Sequence, residues 1–189
     1  IGDHAADARI GIGQADRALG ERQRAGHKTH LLVRIGPNSF SDPQMIDTIR
    51  EQLAVYGVPG ERLWLQTPES KVFTHLRNAQ QFLASVSAMG CKVGLEQFGS
   101  GLDSFQLLAH FQPAFLKLDR SITGDIASAR ESQEKIREIT SRAQPTGILT
   151  VAEFVADAQS MSSFFTAGVD YVQGDFVAPT GPLMNYEFG

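Results

Sequence analysis

Six short apolar runs that each end in a polar or charged residue constrain this chain most: LLVRIG (31 to 36), LWLQT (63 to 67), VGLEQFG (93 to 99), FLKLD (115 to 119), LTVAEF (149 to 154) and VDYVQGDF (169 to 176). Segments of helical character separate them, so the chain reads as a βα repeat. Parallel strands joined by crossover helices leave their carboxyl ends on one side, and barrels of this kind handle ligands there. Arg34, Gln66, Glu96, Lys117, Glu153 and Gln173 are therefore expected to converge on one site. Side-chain parity agrees, because strand residues alternate faces. Trp64 shares a face with Gln66, Phe115 and Lys117 with Asp119, Val151 with Glu153, and Tyr171 with Gln173.

The helices between the runs carry their own boundaries. Ser41, Asp42 and Pro43 supply a cap and a first-turn proline for a helix whose apolar stripe is Met45, Ile46, Ile49, Leu53 and Tyr56, and Gly57 ends it. Ser70 opens a long helix with Val72, Phe73, Leu76, Ala79, Phe82, Leu83 and Val86 inward, closed at Gly90. Shorter helices are expected at about 104 to 111, 131 to 143 and 157 to 167. The opening segment offers one modest helix near 16 to 25 and a stretch, Ile10-Gly11-Ile12-Gly13, that receives no assignment and is too poorly framed for a dinucleotide fingerprint. Six βα units fall short of the set that closes such a barrel. The expected architecture is α/β: a single domain over residues 1–189, a (β/α) barrel whose opening strands are missing from this sequence.

Length and composition narrow the classes of function. At 189 residues and 42% hydrophobic, the chain suffices for one sizeable core. No apolar run reaches the length of a bilayer span, and the N-terminus lacks the basic and apolar regions of a signal peptide, so a soluble cytoplasmic protein is expected. Cys91, the lone cysteine, follows Gly90 into a strand and reads as a buried structural thiol. A net charge of −4, from 17 basic and 21 acidic residues with no long basic run, argues against a nucleic-acid groove. An anionic ligand then needs a local arginine, lysine or cluster of amides. Of the five histidines only His27 and His30 lie close together, on the face opposite the convergent residues, which argues against a metal site there.

The segment EQFGSGLDSFQLL (96 to 108) is a strand end, a glycine-flanked loop and a helix start, and amides at Gly99-Ser100-Gly101 can form an anion-binding concavity. Together with FLKLDRSI (115 to 122), VAEFV (151 to 155) and DYVQGDF (170 to 176), this segment resembles the EAL domain family, cyclic-di-GMP phosphodiesterases and their inactive relatives, over about 15 to 188. Several positions depart from the active pattern. Where active members have two aspartates before Phe-Gly-Thr-Gly, this chain has Glu96 and Gln97; Gln66 stands at a metal-binding glutamate, Arg34 at a metal-binding asparagine, Phe154 at a glycine and Ala156 at a second glutamate. The Glu-Ala-Leu tripeptide is absent.

These departures carry a chemical consequence. The family's hydrolysis uses divalent metals, and magnesium is held by carboxylate oxygens. Gln66, Gln97 and Ala156 remove negative charge, and Arg34 adds a cation where an ion would sit. Two unit charges about 4 Å apart are worth about 4 kcal/mol at an effective dielectric of about 20. The resemblance therefore implies a receptor that binds cyclic-di-GMP without metal or other cofactor. Arg34 would answer a phosphate, Glu153 the donor edge of guanine, and Phe154 either stacks on guanine or turns into the core. Gln66, Glu96, Gln97, Phe98, Gly99, Ser100 and Gly101 join the binding set, with Gln173, Gly174, Asp175, Phe176 and Pro179 on its rim. Lys117 and Asp119 either join it or form a structural ion pair.

Two enzymatic readings stand beside the receptor: a slow metal-dependent phosphodiesterase using Glu96 and Glu153, and a lyase using Lys117 as an imine-forming amine. The segments FVADAQ (154 to 159) and QGDFVAPTGPLMNYEF (173 to 188) are most like those of a degenerate family member that governs type IV pilus assembly and twitching motility. That resemblance implies sensory and degenerate cyclase-like domains upstream and a PilZ-domain protein as docking partner.

Overall fold

The computed structural model of the chain describes residues 4–26, 29–101 and 103–177. Among the described residues the strands follow one another in the sheet in chain order. Two compact units divide the chain after Leu116, inside the fourth strand.

The first unit begins with α1 (His4–Arg24), followed by β1 (Leu31–Arg34), the short α2 (Asn38–Ser41) and α3 (Pro43–Tyr56). Helix α1 runs through Ile10-Gly11-Ile12-Gly13, the stretch without a sequence assignment, and is far longer than the modest helix expected. Its buried stripe is Ile12, Ala15, Asp16 and Leu19, a helical spacing in which the acid disguises the apolar face. At α3 the expected cap is present: the Asp42 carboxylate accepts the Gln44 N–H at 3.0 Å and also pairs with Arg9. Gly57 ends α3 at a φ of 64°. His27 lies outside the described residues, and His30 packs edge-on against Trp64.

Strand β2 (Leu63–Pro68) leads into α4 (Glu69–Thr74) and α5 (Leu76–Ser87). The sequence pattern predicts one helix here; the chain breaks at His75, where the Thr74 hydroxyl donates to the Ser70 and Lys71 carbonyls and the His75 Nδ1 lies 3.1 Å from the Lys71 carbonyl. Side-chain bonds of this kind compete with the helical ladder. As a result Phe73 points outward, 62% exposed, while Val72, Ala79, Phe82 and Val86 remain buried.

Strands β1, β2 and β3 (Lys92–Phe98) pair in parallel. After α6 (Ser104–Leu108) comes β4 (Phe115–Leu118). Gly94 of β3 is small for a packing reason: a Cβ there would fall 2.2 Å from the Phe115 ring, which lies across it and stacks on Trp64 at 5.0 Å.

The second unit contains the end of β4, then α7 (Arg120–Thr123), α8 (Arg130–Ala143), β5 (Leu149–Ala152), α9 (Ala158–Thr166) and β6 (Tyr171–Val172). Asp157 caps α9 by accepting the Ser160 N–H at 2.7 Å, which holds its carboxyl below the usual range. Helix α8 buries Ile136, Ile139, Thr140 and Ala143. Asp170 ties β5 to β6, accepting from both the N–H and the hydroxyl of Thr150. Beyond β6 the chain presses against residue 155 so closely that a Cβ on Gly174 would meet the Val155 nitrogen at 2.3 Å.

Asp16 and Cys91 share the interior of the first unit. Both are buried, and neither Asp16 oxygen has a hydrogen-bond partner among the described residues. Burial pushes the Asp16 carboxyl up to about 7, and burial together with Asp16 pushes the Cys91 thiol up to about 12. The folded chain thus keeps the Asp16 proton to higher pH than the unfolded chain, whose carboxyl titrates near 3.8. Stability falls as pH rises between those values, by at most ~1.4 kcal/mol per unit, and the contribution levels off above the folded value. Asp16→Asn removes this component. Urea midpoints of the two proteins should diverge in favour of the variant from pH 4 to 7 and run parallel above; a constant difference throughout would show that Asp16 titrates normally.

Candidate functional site

In the first unit the strand ends assemble a charged cluster. Arg34, the last residue of β1, is in register with Gln66, which is in register with Gly94. Glu96 lies two residues further along β3 on the same pleat face. Glu96 is 7% exposed, and the Arg34 Nε approaches its carboxylate to 2.5 Å from a largely solvent-accessible side chain. A carboxylate withdrawn from water needs a cation, and here a guanidinium supplies it. Gln66, half-buried beside Arg34, adds polarity without charge.

The end of β3 departs from regular strand geometry. Gln97 has a φ of 57°, so its side chain swings out to solvent while Glu96 and Phe98 on either side are both buried. Phe98 packs edge-on against Phe105. Ser100 donates its hydroxyl to the Gln97 carbonyl at 2.9 Å. The Gly99 N–H, an amide the sequence suggested for an anionic ligand, is instead donated to Glu69 Oε2 at 3.0 Å. Glu69 is a buried acid at the start of α4 and was absent from the sequence-predicted set. Its signal was an acid directly following a strand, in LWLQTPES. Beside it a pocket of about 360 Å³ is lined by Glu69, Phe73, Thr74, Ser100, Gly101 and Asp103, among others.

In the second unit Lys117 and Glu153 come together. Lys117 is 5% exposed, and its Nζ lies 2.7 Å from Glu153 Oε1. Asp119, the other acid considered for Lys117, caps α7 and accepts the Ser121 N–H at 2.8 Å. Phe154 follows Glu153 with a φ of 61° and is 61% exposed, so it is not a core residue. Arg120, a second residue missing from the sequence-predicted set, places its guanidinium 4.9 Å from the Phe154 ring centroid. Its sequence signal was a cation immediately after a strand-end aspartate.

The segment after β6 is tied to the same strand exit. The Val155 N–H donates to the Gln173 carbonyl at 3.0 Å, and the Phe176 N–H donates to the Val155 carbonyl at 3.2 Å. Gln173, Asp175 and Phe176 are exposed along this edge, with Gly174 held between them. Pro179 lies outside the described residues.

Among the described residues no group of three histidine, cysteine, aspartate or glutamate side chains is placed to hold a metal ion, and no helix is long and apolar enough to cross a membrane. A profile of the EAL domain matches residues 7–180. The signaling protein YkoW of Bacillus subtilis is 25% identical over 86% of this chain and 20% of its own length. The cyclic di-GMP phosphodiesterase PdeF of Escherichia coli is 26% identical over 82% of this chain and 21% of its own. The chain therefore spans about a fifth of these relatives. Among solved structures, the FimX EAL domain of Xanthomonas citri in complex with c-diGMP is 89% identical, with a TM-score of 0.96 over 98% of this chain and 74% of that one. The FimX EAL domain of Pseudomonas aeruginosa bound to c-di-GMP is 26% identical, with a TM-score of 0.88 over 96% of this chain and 73% of that one.

The Glu69 contact sets a clear expectation for the loop. Glu69→Ala leaves the buried Gly99 N–H without its acceptor and costs ~1–3 kcal/mol, whereas Glu69→Gln retains an acceptor oxygen. Hydrogen exchange at the Gly99 amide should accelerate in the alanine variant and stay slow in the glutamine variant. Equal exchange in all three proteins would mean the loop is held by other contacts.

Proposed function

Because this chain belongs to the EAL domain family and has its α/β, TIM-barrel-like fold, we propose that it is a catalytically inactive receptor that binds cyclic-di-GMP without metal. The observation that carries this reading is the Arg34–Glu96 ion pair. A guanidinium seated on the acid does two things at once. It neutralises the oxygen a divalent ion would need, and it presents N–H donors suited to a phosphate.

The residues present do not fit the family's metal ions. Glu96 is engaged by Arg34, Glu153 by Lys117, and Gln66 carries no charge. A slow hydrolase using Glu96 and Glu153 would have to free both acids from their cations. A lyase would need the Lys117 amine as a nucleophile, and Glu153 holds it as an ion-pair partner.

The ligand is suggested by the two FimX EAL domains solved with cyclic-di-GMP, the nearer of them 89% identical to this chain. Arg34 meets a phosphate, Phe154 stacks on guanine, and Glu153, with acceptor capacity beyond its Lys117 contact, takes guanine's N1 and N2 hydrogens. Gln66, Gln97, Gln173, Asp175 and Phe176 supply polar and aromatic rim contacts. The output is carried by protein contacts to a PilZ-domain partner in the cytoplasm, in regulation of type IV pili and twitching motility. The resemblance of the segment 173 to 188 to a degenerate pilus-regulating relative supports that assignment.

Titration calorimetry with cyclic-di-GMP tests the proposal. Affinity should be the same with and without a chelator, and no linear dinucleotide should accumulate. Arg34→Ala should weaken binding by ~1.5–3 kcal/mol, the range for hydrogen bonds to charged groups. Binding that requires magnesium, or turnover of the ligand, would overturn the receptor reading; undiminished affinity in Arg34→Ala would remove Arg34 from it.

A further inference from the structure

We infer that Arg120 is a positioning residue for base recognition: it pins the Phe154 ring so that a purine can stack on it. This rests on the receptor reading and assigns a role to a side chain outside the ligand-binding set proposed above.

The argument begins with the backbone. At a φ of 61°, Phe154 occupies the left-handed region that few residues other than glycine adopt. That turn sends its side chain away from the interior, while the next residue, Val155, returns to the core. A large ring expelled in this way has no core contacts to fix its rotamer. Arg120 meets it instead, at 4.9 Å from guanidinium carbon to ring centroid, within the range of a cation–π contact.

Arg120 is itself well placed to hold still. It is the first residue of α7, directly after Asp119, whose carboxylate caps that helix on the Ser121 N–H. Among the described residues no carboxylate forms an ion pair with Arg120, so the ring is its partner. The ring's 61% exposure leaves ample surface beyond what the guanidinium covers. A ring already restrained loses little rotamer freedom when a base lands on it, so restraint appears as affinity. Glu153, the preceding residue, carries acceptors for a donor edge, while Lys117 holds its carboxylate. A purine with N–H donors on its edge matches this corner better than one without them.

The test combines a ligand-free and a ligand-bound measurement. In free protein, NMR should show the Arg120 side-chain protons shifted upfield by the ring current, a shift lost in Phe154→Leu, and Phe154 ring signals moving toward averaged values in Arg120→Met. Calorimetry with cyclic-di-GMP should show about three- to fivefold weaker binding in Arg120→Met. The same change in a Phe154→Leu background should add no further loss, and Arg120→Lys should recover part of the affinity. Additive losses would make Arg120 a direct ligand contact and overturn the positioning role, as would an unshifted Arg120 side chain. If the unaltered chain fails to bind cyclic-di-GMP although the ring-current shift is present, the receptor reading falls and the Arg120–Phe154 contact stands.

Discussion

Glu96 sits almost out of water at the end of β3, and its charge is met by Arg34. A carboxylate in that position is unstable alone, so the nature of its counter-charge decides what chemistry the strand end can do. A metal ion would bring polarised water; an arginine brings fixed hydrogen-bond donors. In the second unit the group almost out of water is the cation: Lys117 is buried, and Glu153 meets its charge at 2.7 Å. Both strand-end acids therefore have partners built into the chain.

A second regularity concerns the residues that follow these acids. Gln97 comes directly after Glu96 and Phe154 directly after Glu153, and both occupy left-handed backbone. Such conformations cost on the order of 1–3 kcal/mol each and persist where surrounding contacts over-determine them. Here the contacts are visible. Glu69 takes the Gly99 amide beyond Gln97, and the segment from Gln173 to Phe176 hydrogen-bonds across Val155 beyond Phe154. The effect is the same at both places: the acid stays paired with its cation while the next side chain is turned out.

Much of the scaffold was legible from local pattern. The six apolar runs all contain strands in the expected order, though β6 shrinks to Tyr171–Val172. Asp42 caps the helix it is expected to cap, and the helix expected from about 157 starts behind an Asp157 cap. Cys91 is buried as expected. The misses have identifiable causes. The sequence pattern predicts α1 only from about 16, after the Gly11 and Gly13 pair, yet packing with α3 accompanies a helix that runs through both glycines. The break at His75 depends on hydroxyl and imidazole contacts that hydrophobic periodicity does not register.

Strand positions, helix caps and the row of polar strand ends follow from amino-acid order because periodicity and capping involve residues within a turn or two of one another. The choice of partner for each strand-end group does not. Arg34 with Glu96, Lys117 with Glu153, Glu69 with Gly99 and Arg120 with Phe154 are contacts between distant parts of the chain. They exist because strand register and loop direction set which side chains are within reach, and several chemically reasonable pairings were open until folding selected among them.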